Sequence, residues 1–301
     1  IRDRSPSRGL GDVYKRQTLT HVATSENDYA EISGGDIKGN AYGFRNVNGD
    51  ITGSYVKMTG GKVGDSAYGG LTKSGKISKS YVLLDGGEVK HDAIGGSSIS
   101  GNVEANKVEV KQGATVGRDI IGGRSETGSA TNNTVNLKGA QVAGDVYAAH
   151  AANGSGNSVN FHSGSVGGTI YGLSNTSGTN NSLNVYNAST QKTAGDIANL
   201  NVLNFDGISN ANGSAATAAL NLTTAGNTDI NNAKFQLNGI DYDPSNDSYG
   251  SLNIEEGKEY HLIRNAGNTF TGFTEKAKQT TREFTLKSST TYDIMLKGLI
   301  K

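Results

Sequence analysis

The sequence predicts an all-β protein: a parallel β-helix, or β-solenoid, of about 24–27 residues per coil, followed by a non-repeating β-rich C-terminal segment. Three observations carry this expectation. Apolar residues recur in fixed columns through residues 29–187, neighbouring columns are two residues apart, and Gly-Gly or Gly-small pairs interrupt the rows at a constant place.

The rows begin at Tyr29, Tyr55, Tyr81, Lys107, Thr134, Ser158 and Ser182, with spacings of 26, 26, 26, 27, 24 and 24. One column holds Ala30, Val56, Val82, Val108, Val135, Val159 and Leu183, and two residues on stand Ile32, Met58, Leu84, Val110, Leu137, Phe161 and Val185. A two-residue period is that of a strand and puts both side chains on one face. The glycine pair then turns the chain into a second short strand, giving the column Ile37, Val63, Val89, Val116, Val142 and Val166. A fourth column holds Ala41, Ala67, Ala93, Ile120, Val146 and Ile170. Repeats of this length with one apolar face per unit stack as solenoids. A single coil loses more backbone entropy than its four apolar side chains offset, so each coil depends on its neighbours.

Beyond about residue 190 the spacing is lost. Strands are expected over Ala219–Leu222, Ala233–Leu237, Ser251–Ile254, Glu259–Ile263, Glu283–Leu286 and Tyr292–Leu296, with a helical turn at 275–278. The predicted organisation is therefore a solenoid over 18–205 and a β-rich capping segment over 206–301, the boundary falling in the small, polar stretch 190–215.

Residues 1–17, IRDRSPSRGLGDVYKRQ, stand apart from this pattern. They lack the apolar stretch of a secretory signal. Ser7 to Gln17 resembles one translated frame of a transposase-type sequencing-library adaptor, and the run upstream fits an index primer. The run is expected to be unstructured and to take no part in the fold. Without it Lys+Arg falls from 28 to 23 and Asp+Glu from 28 to 26, a net charge of −3 rather than zero. A nucleic-acid partner therefore loses its electrostatic support. The chain has no Cys, which excludes disulfides and thiolate metal sites, and no stretch of 18 apolar residues that would make a membrane-spanning helix.

Two chemical readings compete with structural ones. GDSAYGG at 64–70 is similar to the surroundings of a serine nucleophile, but Ser66 occupies the repeat slot of Asn40, Asp92, Asp119, Asp145 and Thr169. That variety marks a polar turn or strand slot. In the same slot, Asp92, Asp119 and Asp145 fall in consecutive coils and would lie about 4.8 Å apart. Such carboxylates could share Ca²⁺ or act as acid and base on a polysaccharide. The preferred reading is plainer: Asp accepts backbone N–H groups at turns. The adjoining column, Tyr42, Tyr68, Ile94, Ile121, Tyr147 and Tyr171, is either an outward sugar platform or internal stacking, and the isoleucines favour stacking. No metal-binding His pair, nucleotide loop or hydrolase motif stands out, so catalytic, cofactor-binding and metal residues are expected to be none.

The phrase V-x-L-x-G-G-x-V-x-G-D-V-Y-G-G followed by G-x-x-x-N-N recurs, as in NNTVNLKGAQVAGDVYAA at 132–149 and NSVNFHSGSVGGTIYGL at 157–173. It resembles the passenger regions of bacterial autotransporters over roughly residues 29–206. The resemblance implies a secreted or surface-displayed β-helix of a diderm bacterium, exported through an outer-membrane barrel in cis that this chain does not include. Host or bacterial surface glycans or proteins are the implied partners. The expected role is a non-catalytic stalk or adhesin, with a β-helical polysaccharide lyase or hydrolase as the alternative.

Overall fold

The computed structural model describes residues 25–230, 233–236, 242–243, 248–249, 258–265, 269–272, 284–289 and 293–298. The 1–17 run, the expected strand over 251–254 and the expected helical turn at 275–278 lie outside the described residues.

The chain winds into a β-solenoid of about seven turns. One coil shows the plan. Strands Tyr55–Met58 and Lys62–Val63 lie in a first sheet, Ala67–Thr72 in a second and Ile77–Ser78 in a third, before Tyr81–Leu84 returns to the first. Pairing between coils is parallel and in register. Tyr29, Tyr55, Tyr81, Lys107, Thr134, Ser158 and Ser182 are successive partners, as the row starts require. The column from Ala30 to Leu183 follows one position on, and each of its members is at most 1% exposed. Strand alternation turns these side chains inward and Tyr, Lys, Glu and Asn outward.

The interior has two lobes. The larger lies between the first sheet and the start of the second. The smaller gathers Phe44, Ile51, Ile77, Val103, Ala130, Ala149, Ala151 and Leu173 between the end of the second sheet and the third. A glycine column forms the waist between them. A Cβ on Gly69 would stand 2.6 Å from Tyr81 O and 2.3 Å from Gly95 O, so only hydrogen lets the facing backbone approach. The third sheet has no counterpart among the sequence columns: its strands are two or three residues long, and Ile51–Thr52, Ile77–Ser78, Val103–Glu104 and Ser129–Thr131 each bury a single side chain, too few to display a period.

The turn from the third sheet back to the first carries a buried polar ladder. Lys79 (φ 55°), Ala105 (φ 53°), Asn132 (φ 54°) and Asn180 (φ 55°) adopt left-handed backbone, as do Gly53 and Gly156. Each precedes one of Ser54, Ser80, Asn106, Asn133, Asn157 and Asn181, all fully buried. Asn106 Nδ2 donates to Asn133 Oδ1 at 3.1 Å, Asn133 Nδ2 to Asn157 Oδ1 at 2.9 Å and Asn157 Nδ2 to Asn181 Oδ1 at 2.9 Å. The backbone N–H of each donates to the same acceptor oxygen at 3.0 Å. The asparagines thus satisfy turn amides that no strand can reach.

The spacing changes after Ser182, yet parallel pairing persists. Ser182 pairs with Val202, 20 residues on, and Val202 with Lys234, 32 residues on. Lys192–Ala194 pairs with Leu220–Leu222, which pairs with Glu259–Asn265. Direction then reverses: Glu259–Asn265 pairs antiparallel with Asp293–Gly298, and that strand antiparallel with Phe284–Ser289. Tyr260, Leu262 and Ile263 extend the larger lobe.

Candidate functional site

The strongest sequence candidate is the slot at the entrance to the second sheet. The side chains of Asn40, Ser66, Asp92, Asp119 and Asp145 each accept a backbone N–H from the next coil. Ser66 N–H donates to Asn40 Oδ1 at 3.0 Å, and Asp92 N–H to Ser66 Oγ at 3.2 Å. Asp119 N–H donates to Asp92 Oδ1 at 3.2 Å, Asp145 N–H to Asp119 Oδ1 at 2.9 Å and Thr169 N–H to Asp145 Oδ1 at 2.7 Å. Asn, Ser and Asp are interchangeable here because each presents a short oxygen acceptor. This is the turn geometry that the preferred sequence reading expects.

The carboxylates also interact with each other and with their surroundings. Burial raises the pKa of Asp119, and the Asp92 and Asp145 carboxylates raise it further against the pull of the Asp145 N–H. Arg118 Nε lies 3.6 Å from Asp92 Oδ1. Tyr147 donates its hydroxyl to Asp145 Oδ2 at 3.1 Å, and burial, followed by that carboxylate, pushes the phenol's pKa up. A half-buried carboxyl whose pKa is raised is one element of acid catalysis. Among the described residues, no group of three or more His, Asp or Glu side chains is placed to hold a metal ion.

Ser66 is 4% exposed, and its oxygen is engaged as an acceptor. Nearby His91 is occupied by Asp65, with Nδ1 2.6 Å from Oδ1. Among the described residues no histidine is hydrogen-bonded to this serine.

The tyrosine column stacks ring on ring. Tyr42 and Tyr68 lie 5.3 Å apart between centroids, and Tyr147 and Tyr171 lie 4.6 Å apart. Ile94 and Ile121, 0% and 5% exposed, fill the gap between the pairs. Arg45 covers Tyr42 at 5.5 Å. A sugar stacks on an aromatic face, and most of these faces are covered by neighbours.

Three features had no place in the sequence reading. On the outer face of the first sheet, Tyr29, Tyr55 and Tyr81 form a continuous stack at 5.1 and 4.7 Å, ended by Lys107 Nζ at 5.8 Å from the Tyr81 ring. Their alignment at the row starts was the available signal. Beside them, Asn184, Asn160 and Asn136 pass amide hydrogen bonds along the coils to Glu109, at 2.7, 2.8 and 3.2 Å. Burial opposes ionisation of Glu109, but Asn136 and the ammonium groups of Lys138 and Lys107 outweigh it and lower its pKa. The third feature is Lys192, 1% exposed, which caps the carbonyls of Asn187 and Thr190.

Compared with known proteins, the chain matches no family model, no curated protein and no solved structure.

Proposed function

We propose that this chain is a non-catalytic segment of autotransporter-passenger type, displayed on or secreted from the surface of a diderm bacterium as a stalk or adhesin. One observation carries the non-catalytic part: Asp92, Asp119 and Asp145 each spend an oxygen on the backbone N–H of the next coil. Those bonds hold the stack together. Coils added at about 4.8 Å each make seven turns a rod of roughly 30 Å, and length grows by repetition without disturbing the contacts already made. The export route rests on the repeat phrase at 132–149 and 157–173. Its partners are surface glycans or proteins rather than nucleic acid, in keeping with the net charge of −3 outside residues 1–17 (23 basic against 26 acidic).

The alternative, a polysaccharide lyase or hydrolase, draws on the raised pKa of Asp119 between two carboxylates. Localisation tests the display reading. Protease added to intact cells of the source bacterium should digest the chain while a cytoplasmic marker survives. Digestion only after lysis would refute display.

A further inference from the structure

We propose that the outward stack Tyr29–Tyr55–Tyr81 is a site of oxidative phenol coupling, where a peroxidase-type one-electron oxidant joins neighbouring rings and staples consecutive coils. The inference is independent of the display reading and applies wherever such an oxidant reaches the chain.

Composition directs oxidation to these rings. The chain has no Cys and no Trp, and Met58 is fully buried. Phenols are thus the readily oxidised groups on this face. Tyr29 is 42% exposed, so an external oxidant has access.

Geometry then favours coupling within the stack. The three residues are direct partners in the parallel ladder. Their ring planes differ by only 9° and 6° at centroid separations of 5.1 and 4.7 Å. Each ring therefore lies over the next, and a radical formed on one is held beside its reaction partner. The other tyrosine stacks are tethered. Tyr147 is bound through its hydroxyl to Asp145, and Arg45 lies over Tyr42. Among the described residues the hydroxyls of the outward stack make no hydrogen bond, and the one flanking cation, Lys107 Nζ at 5.8 Å, caps only the Tyr81 end.

The chemistry balances. Each of two phenols loses one electron and its hydroxyl proton. The two radicals join at carbons ortho to oxygen, and the displaced ortho hydrogens return to the oxygens. Two electrons and two protons leave in all, and one hydrogen peroxide takes them up to give two waters. The new bond closes a 26-residue loop between Tyr29 and Tyr55, or between Tyr55 and Tyr81. Such a closure removes disorder from the unfolded chain as a disulfide does.

The full chain, treated with a plant peroxidase and hydrogen peroxide and then digested with trypsin, provides the test. Peptides containing Tyr29 and Tyr55, or Tyr55 and Tyr81, should appear joined and lighter by two hydrogen atoms, with blue dityrosine fluorescence and a raised urea midpoint. Tyr55→Phe, which keeps the ring, should abolish both linkages. Tyr29→Phe should remove only the first, and Tyr171→Phe should leave both at the native yield. Linkages surviving in Tyr55→Phe, a yield no greater in the folded chain than in urea, or coupling mainly between separate chains would each overturn the proposal.

Discussion

Asn133 donates from Nδ2 to Oδ1 of Asn157 at 2.9 Å, across one coil, with both side chains fully buried. Asn133 also donates to Val103 O at 3.2 Å and accepts from the backbone and side-chain nitrogens of Asn106. Asn133→Ala strands these groups away from water. The expected loss is about 2–4 kcal/mol, read as a lowered urea midpoint, and a loss under about 1 kcal/mol would mean that the ladder contributes little.

The glycine waist predicts a graded response to an added methyl. Gly69→Ala meets backbone on two sides, at 2.3 and 2.6 Å, and should cost about 3 kcal/mol. Gly122→Ala meets close backbone on one side only, Ala148 O at 2.4 Å, while the facing Thr134 N stands at 3.3 Å, and should cost less. Gly39→Ala, with nothing within 4 Å, should stay within about half a kcal/mol of the native chain. Thermal unfolding of the three variants checks the order.

Lys192 predicts an alkaline rise in stability. Burial lowers its pKa from 10.5 to about 8. The unfolded chain regains the ordinary value and binds more protons between those limits, so stability increases with pH across that window. A shift of this size corresponds to on the order of 3 kcal/mol. In acid, His162, lowered by burial to about 4, and Asp206, raised by burial to about 6, act with opposite signs over overlapping ranges and offset each other. Urea midpoints should therefore climb from pH 8 to about 9.5, below the phenol range, and stay flat in Lys192→Met. Equal slopes in the two chains would contradict this.

Removing 81–106 takes out one whole coil, since Tyr55, Tyr81 and Lys107 are register partners. Lys107 then takes the place of Tyr81, Val108 that of Val82, and Ser80 meets Asn133. The shortened chain should keep a cooperative transition and a strand-rich circular dichroism spectrum. Removing only 81–93 brings unlike columns together and should abolish the transition.

Much of this architecture is legible in the sequence because a solenoid buries one face repeatedly. Val56, Val82 and Val108 advertise their column through spacing alone. The asparagine ladder is not legible in that way. Asn reads as a surface or turn residue, and its burial follows only once the residue before it, such as Asn132 at φ 54°, turns the chain inward. Asp92, Asp119 and Asp145 could be placed in one slot by alignment, but their use depended on which atoms met them, the N–H groups of the next coil. Past Ser182, spacings of 20 and 32 residues conceal a ladder that nonetheless continues through Leu203 and Phe235.

The reading of the aspartate column as turn chemistry is tested most directly by incubating the full chain with acidic polysaccharides, with and without Ca²⁺, and measuring polymer length. No shortening is predicted, and Asp119→Asn, which keeps the oxygen acceptor and removes a charge from between Asp92 and Asp145, should unfold no earlier than the native chain. Shortening that disappears in Asp119→Ala would contradict the account and assign these carboxylates to catalysis.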